Sequence, residues 1–548
     1  MGRPAARAGA VGLAAAAMVG LLAGTSRAST TTTDNARTLT VALPGPFNGC
    51  SVLDPAATPT TGAVLDLLRP SAFATDVNGQ PVGAGGPIAS AELTSLSPET
   101  VVYTIAPHEL WSDGLTFNGS DLVAWWQWAR SLPSVLSDGY RDIQSLTVGS
   151  NGLTVTAIFA TPDASWNLLF RDVEARGVTR GCAIANLVAR PSLGPYRVVS
   201  ATKSRIVLAM NRAWTGDPAR FGHVVLVDSG ALPRTASTYF ASYLTSVGRA
   251  QVEALSAHQW VASHLGTTSD IEVMAFSPLR RFTDTLAMRR ALSWAIERQS
   301  LINSLWGSIT FAPAVAASAV YSQGENAYPG GGGTTPTTPT TVTGSTTLTQ
   351  NGLADCRACA LQGLADAGWR RTASGWVDGA KTKLRLIVVT GPSATDRATA
   401  TAVARQWASI GVAASVTHAS SDVLAAATAA EGHADVAIYD KPTGDAASVS
   451  ARSWSGAAYS DSYPSGFRSA TVTSLYAAAQ SNFNAAAATA TWLSLDQAVL
   501  TSYWVRPLYT APSLVEWNNS LVGVTGAISE RAFVDELTGW NSSVVAGG

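Results

Sequence analysis

The sequence predicts an α/β protein in which mixed β-sheets are flanked by helices. Three observations carry this. The chain has 548 residues, 46% of them hydrophobic, which is enough for two or three domains with a large buried core. Short β-branched runs recur through the first 210 residues. After residue 382, apolar strand-like runs alternate with segments of helical period, the order that builds a mixed sheet with helices on its faces.

The chain opens with Arg3 and Arg7, an apolar run over 8–24, and Ser26-x-Ala28 with small residues at both positions that fix cleavage. This predicts a Sec-type secretory signal peptide over 1–28, cleaved after Ala28. The run is too rich in Ala and Gly to make a strong spanning helix. Cleavage removes three arginines and no acid, taking the formal net charge from −1 to −4. No Cys follows the apolar run to carry a lipid anchor. Residues 29–37 are a polar Ser/Thr lead-in.

TLTVAL (38–43) alternates and is β-branched, a first strand that LDP (53–55) ends. GAVLDLLR (62–69) reads as a helix, VVYTIA (101–106) and GLTVTAIF (152–159) as strands, and ASWNLLF (164–170) as a short helix. PYRVVSATKSRIVLAM (195–210) reads as a hairpin turning at Thr202-Lys203-Ser204. Residues 289–307 place Leu292, Ala295, Ile296, Leu301, Ile302 and Leu305 at helix spacing, with Gly307 as the stop. PGGGGTTPTTPTTVTGST (329–346) is low-complexity, a surface insertion taken to extend to 350. LADAGW (364–369) closes a helix. Strand 383–390, helix 394–411, and strands 412–418 and 434–440 follow, then helix 494–503 and strand 506–511.

The stretch HELWSDGLTFNGSDLVAWW (108–126) holds two turn pairs, Asp113-Gly114 and Asn118-Gly119, then a helix that Ser120 or Asp121 can cap. Its tryptophans are expected to fill a core under the turn, since aromatic rings bury large areas. Asp113 and Gly114 make the turn, and no residue of the stretch acts as a catalyst.

Charged residues are only 13% of the chain, with no basic excess, so nucleic acid is not an expected partner. There is no G-x-S-x-G, no H-E-x-x-H and no Walker loop. Ser200-Ala-Thr-Lys203 fits S-x-x-K but lies in the hairpin turn without S-D-N or K-T-G. His258 and His264, read on one helix, are six apart and form no i, i+4 metal pair; Gly330–Gly333 is followed by Thr and Pro instead of a phosphate-binding helix. No catalytic residue, metal site or cofactor is expected. Four cysteines, Cys50, Cys182, Cys356 and Cys359, allow three pairings. Export favours disulfides. Cys356-x-x-Cys359 could bridge locally and leave Cys50 with Cys182, while metal or redox use of CRAC is the lesser reading.

Seven motifs in order carry a family resemblance. WSDGLTFNGSD (111–121) resembles the W-S-D-G-x-x-x-x-A-x-D run of the family-5 extracellular solute-binding proteins, with Gly119 where Ala is usual. LDP, GPY (194–196) with RIVLAMNRAW, MRRALSWAIERQSLI (288–302, with Glu297 for Asp), LADAGW, RQWASIGV (405–412) and RPLYTAPSL (506–514) are similar to that family's remaining blocks. This is the peptide/nickel group that serves ATP-driven importers, and the Ala/Arg-rich, Lys-poor composition suits an actinobacterial member.

The resemblance implies a two-lobe periplasmic-binding-protein-like fold of class II with a hinge. Lobe I takes 38–70, 195–305 and 505–548, an extra subdomain takes 71–194, and lobe II takes 306–504. It implies a monomer that encloses an oligopeptide or other small ligand and meets an ABC permease and ATPase complex at the membrane. A second-lobe carboxylate would pair with the peptide's amino group. In YDKPTGDAASV (439–449) Asp445 fits that role and Asp440 is the substitute, although the loop departs from the family pattern. Trp454 and Tyr459, which follow this loop, and Phe47 and Phe276, at predicted turns, are candidates for stacking a ligand; core packing is the commoner use of such rings. The alternative role is a binding-protein-like envelope factor in cell-wall glycolipid or sugar metabolism. An exported hydrolase is a third class, without a catalytic set to support it.

Overall fold

The computed structural model describes residues 34–54, 57–75, 81–132, 138–178, 183–228, 239–253, 260–307, 313–321, 327–329, 355–443, 447–455, 466–526 and 529–542. The leader, the 330–350 part of the insertion, Cys182, His258, Asp445 and Tyr459 lie outside them.

In chain order, strand β1 (Asp34–Leu43) and helix α1 (Pro59–Asp66) begin the first lobe. Strands β2 (Ile88–Leu96) and β3 (Glu99–Ile105), helix α2 (Gly119–Ala129), and strands β4 (Ile143–Val148) and β5 (Thr154–Phe159) form the subdomain. The hairpin β6 (Tyr196–Ala201) and β7 (Arg205–Met210) returns to lobe I with β8 (Phe221–Asp228) and β9 (Tyr239–Leu244). The long strand β10 (Val261–Phe276) leaves that lobe, and helices α3 (Leu286–Trp294), α4 (Arg298–Trp306) and α5 (Arg357–Asp366) follow. Then come β11 (Arg385–Thr390), α6 (Ala394–Ser409), β12 (Ala413–His418), α7 (Asp422–Ala430) and β13 (Val436–Lys441). Helices α8 (Ala447–Arg452), α9 (Ala470–Gln480) and α10 (Ala485–Thr501), the second long strand β14 (Val505–Asn518) and helix α11 (Glu530–Asp535) end the chain.

Ten strands make one sheet in the order β12-β11-β13-β10-β14-β9-β1-β8-β7-β6. Its centre is the antiparallel pair β10 and β14, which belongs to both lobes. Val261–Thr267 pairs with Asn518–Pro512 beside β9; Ile271–Ala275 pairs with Thr510–Val505 beside β13. The register breaks between Thr267 and Ile271. Such an interruption bends a strand and loosens its ladder, which makes this the hinge. Thr268 Oγ1 donates to Ala511 O at 3.3 Å across it.

Each lobe has its own core. In lobe I, Leu39, Val41 and Leu43 of β1 pack on α1, and Phe533 and Trp540 close the layer. In lobe II both sheet faces are covered, so β13 is buried along its whole length. α3 to α6 cover one face; α7 to α10 cover the other. Helices α3 and α4, within the 195–305 range expected for lobe I, thus pack on the second-lobe sheet. They are two helices where the spacing suggested one: Arg298 donates from its backbone N–H and Nε to Asp355, and this non-local anchor breaks the helix at Ala295–Glu297. His264, read on a helix, lies on strand β10.

The subdomain sheet runs β2-β3-β5-β4. Trp111, Phe117, Leu122, Trp125 and Trp126 fill its core. Gly114 N–H donates to Trp111 O, and Leu115 N–H to Asp113 Oδ1, so WSDG is the expected turn. The helix cap is Asn118, not Ser120 or Asp121; Asp121 is the reciprocal third-position acid of a capping box. Gly119 has a packing reason: a Cβ there would lie 2.7 Å from Val155 Cγ2 and 2.8 Å from Val148 Cγ1.

Candidate ligand-binding cleft

Strands β11, β12 and β13 are parallel and end on the side that faces lobe I. Helices α6 and α7 start there, capped by Ser393 and Ser421. Carboxyl ends of parallel strands with helix N-termini beside them form the crevice where α/β sheets take ligands. On the lobe I side, β1, β8 and β9 are parallel too.

The lobes touch near the hinge and at the rim. Near the hinge, Ser246 Oγ donates to Asp440 Oδ2 at 2.5 Å, and Thr395 Oγ1 donates to Ser246 O at 2.7 Å. Thr443 Oγ1 donates to Ser269 O. At the rim, Ala164 N–H donates to Gln480 O at 2.6 Å and Ser165 Oγ to Gln480 Oε1 at 2.7 Å, tying the subdomain to the end of α9.

At that rim lies a cleft of about 410 Å³, within the range of small-ligand sites. The subdomain contributes Trp166, Asn167 and Leu168; lobe II contributes Tyr321, Gln480 and Trp492, with Phe483 and Ser448 beside them. The lining combines aromatic rings with amide and hydroxyl groups, a composition that suits a ligand held by stacking and hydrogen bonds.

Behind the cleft wall, Asp496 of α10 accepts from Ala319 N–H at 2.8 Å. Ala319 O in turn accepts from Trp454 Nε1 at 3.0 Å and Ser450 Oγ at 3.2 Å. This chain of contacts fixes the segment that presents Tyr321. Burial pushes the Asp496 carboxyl up to about 7, against the hydrogen bonds that favour its ionised form. Lys441 is buried, with Nζ 3.2 Å from Ser450 Oγ and 5.2 Å from the Trp454 ring centroid. Burial lowers its pKa to about 7, and the Asp270 carboxylate opposes that shift.

The candidate residues from the sequence fall in different places. Asp440 is at the interlobe contact. Trp454 is buried against the 318–320 segment, with its indole N–H satisfied. Phe47 and Phe276 are fully packed in the lobe I and lobe II cores. Asp445 and Tyr459 lie outside the described residues. Trp166, Tyr321, Gln480 and Trp492 were not read as cleft residues. Trp166 carried the one signal, an aromatic in the short helix ASWNLLF, and nothing in the sequence brought it beside Tyr321, Gln480 and Trp492. Cys356 and Cys359 are disulfide-bonded to each other, 5.2 Å apart at Cα. Cys50 is buried and disulfide-bonded. No cluster of His, Cys, Asp or Glu suited to a metal ion occurs among the described residues, and no described helix is long and apolar enough to cross a membrane.

The family model of bacterial extracellular solute-binding proteins, family 5, matches residues 88–467. The chain belongs to this family. Among curated relatives, it is 29% identical over 188 residues to LpqW of Mycobacterium tuberculosis, named a probable monoacyl phosphatidylinositol tetramannoside-binding protein, covering 32% of this chain and 29% of that one. It is 29% identical over 188 residues to the oligopeptide-binding protein OppA of the same species, covering 31% of this chain and 32% of that one. The chain thus spans about a third of the length of the curated relatives it matches. Among solved structures, the periplasmic EDTA-binding protein EppA superposes with a TM-score of 0.77 at 17% identity, over 93% of this chain and 97% of that one. This family-5 chain therefore has the two-lobe binding-protein fold.

Proposed function

We propose that this family-5 protein is the exported receptor of an ABC importer and takes oligopeptides into the cleft between its lobes. The observation that carries the reading is the pair of strands β10 and β14 crossing between lobes at a register break, together with a cleft lined by the subdomain on one side and lobe II on the other. Two lobes on two strands can open and close around a solute. The OppA relative supports peptides as that solute. Asp445 is the proposed anchor for the peptide amine, with Asp440, bonded to Ser246 where the lobes meet, as its substitute only once that contact opens; Tyr459 is proposed to flank the bound chain, while Trp454, buried in the lobe II core, acts through packing. Phe47 and Phe276 act through the cores in which they are packed. The leader over 1–28 delivers the protein outside the membrane, where it works as a monomer beside a permease and ATPase.

A thermal-shift panel of di- to hexapeptides on the protein from residue 29 onward tests this. A ligand at 100 times its Kd adds about 2.7 kcal/mol, so binding peptides raise Tm and Asp445→Ala abolishes the rise. Silence toward peptides with a response to extracted envelope glycolipids overturns the peptide reading in favour of the envelope-factor role.

A further inference from the structure

Four carboxyl groups meet at the point where lobe I touches lobe II near the hinge. Glu272 of β10 and Asp440 of β13 are directly opposite in register, so both side chains lie on the same sheet face. Asp396, in the first turn of α6, packs over that face, and Asp422 starts α7 beside it. Asp440 N–H reaches Asp422 Oδ1 at 3.4 Å. Gly391 sits between the carboxylates of Asp396 and Asp422, leaving no space for a Cβ.

Glu272 is 1% exposed, and its Oε1 has no hydrogen-bond partner. The same holds for Asp440 Oδ1, Asp396 Oδ1 and Thr390 Oγ1 at the end of β11. Buried acceptors left unmatched are costly, and adjacent buried carboxylates cannot all stay ionised. A proton shared between them removes both costs at once. From lobe I, among the described residues, Ser246 reaches in, with its hydroxyl on Asp440 and its carbonyl held by Thr395.

We propose that the lobes close at Ser246 with uptake of protons from solvent by the Glu272, Asp440, Asp396 and Asp422 group, so that the closed form is lost as pH rises. Opening takes Ser246 off Asp440 and admits water to the group, so its carboxyls ionise closer to the ordinary range. Closing excludes water and leaves them facing each other. The charged groups around them do not cancel this. Arg397, one residue beyond Asp396 on α6, acts on Asp396 alone. Lys441, next to Asp440 on β13, acts on Asp270 from the opposite sheet face. Asp270 at the hinge adds to the repulsion on Asp440. Tyr509 of β14 is neutral and hydrogen-bonded to Thr399 at 2.7 Å. On the lobe I side, Arg249 is paired with Glu253 at 2.6 Å at the surface.

The electrostatics agree. Burial raises Glu272 and Asp440 well above the usual carboxylate range, and each is raised further by the carboxylates facing it. Asp422 is raised to about 7, by burial first and by Asp396 second. A group whose pKa is higher in the closed form favours closing below its open-form pKa and loses that contribution as pH rises through its closed-form value.

Small-angle scattering of the full mature chain without added solute, from pH 4.5 to 8.5, reads the lobe angle directly and does not depend on which solute is bound. The expected result is a larger radius of gyration at high pH. Glu272→Gln removes one charge and gives Asp440 a donor, so its transition moves upward by on the order of one pH unit. Asp422→Asn, at a half-buried helix start, gives the same upward shift if the Glu272 variant does not fold. A radius that is the same at both ends of the range, or folded variants with the wild-type profile, overturns the proposal.

Discussion

Replacing Asp496 by Asn tests whether a buried acid sets the pH dependence of lobe II. The side chain is 2% exposed and accepts from Ala319 N–H at 2.8 Å. Its carboxyl rises from 3.8 to about 7 on folding. The unfolded chain thus loses this proton from about pH 4 upward, while the fold keeps it until about pH 7. Stability from this group is fully present at low pH and falls through that window. At 1.36 kcal/mol per pH unit, wild type loses about 3 kcal/mol more than Asp496→Asn between pH 4.5 and pH 8. Asn keeps an oxygen for Ala319 but turns its amide toward the N–H of Val320, a fixed cost of about 1 to 3 kcal/mol at either pH. Urea denaturation of both proteins at the two pH values measures the difference between differences, in which the fixed cost cancels. The variant gains about 3 kcal/mol on wild type as pH rises. A gap that does not change with pH refutes the burial of an ionisable Asp496. Asp496→Ala is a different perturbation: it frees Ala319 N–H and so loosens the 318–321 segment that Tyr321 and Trp454 rest on.

Three further outcomes follow from individual contacts. Gln480→Ala removes the side-chain half of the rim contact with Ser165 and leaves stability within about 1 kcal/mol; titration calorimetry with a peptide found by the panel gives a Kd about 3- to 10-fold weaker, and an unchanged Kd shows that the rim takes no part in closing. Asp121→Ala strips the acceptor from the N–H groups of Asn118 and Arg176, a buried loss of about 3 kcal/mol in urea denaturation; the ion pair to half-exposed Arg176 adds little. Reducing Cys356–Cys359 opens a loop with a sequence separation of 3, so dithiothreitol lowers stability by only about 2 kcal/mol through this bridge.

What could be read from the sequence was what is local. The starts of the helices at 119 and 394 were legible to within a residue or two because a capping box needs nothing beyond its own turn, although the cap of the first is Asn118 where Ser120 or Asp121 was expected. The WSDG turn and the strands of the βαβ region are legible for the same reason. The strand β10 was not. Its second half, IEVMAF, reads as a buried strand, but its first half, VASHLGTTSD, is polar because it crosses the hinge, where neither lobe covers both faces. The break between α3 and α4 was equally hidden, since Asp355, which pulls on Arg298 and Arg506, lies more than fifty residues from either helix end that it fixes. The site follows the same division. Asp440 could be singled out because it ends a recognisable strand. Its partners could not: Ser246, Glu272, Asp396 and Asp422 come from five separate elements, counting Asp440's own, and only the strand order places them together. Each looks like a loop acid, a strand polar residue or a helix cap when taken alone. In a protein with a two-lobe fold, the residues that join the lobes sit where the two meet, and sequence neighbours carry no record of that meeting.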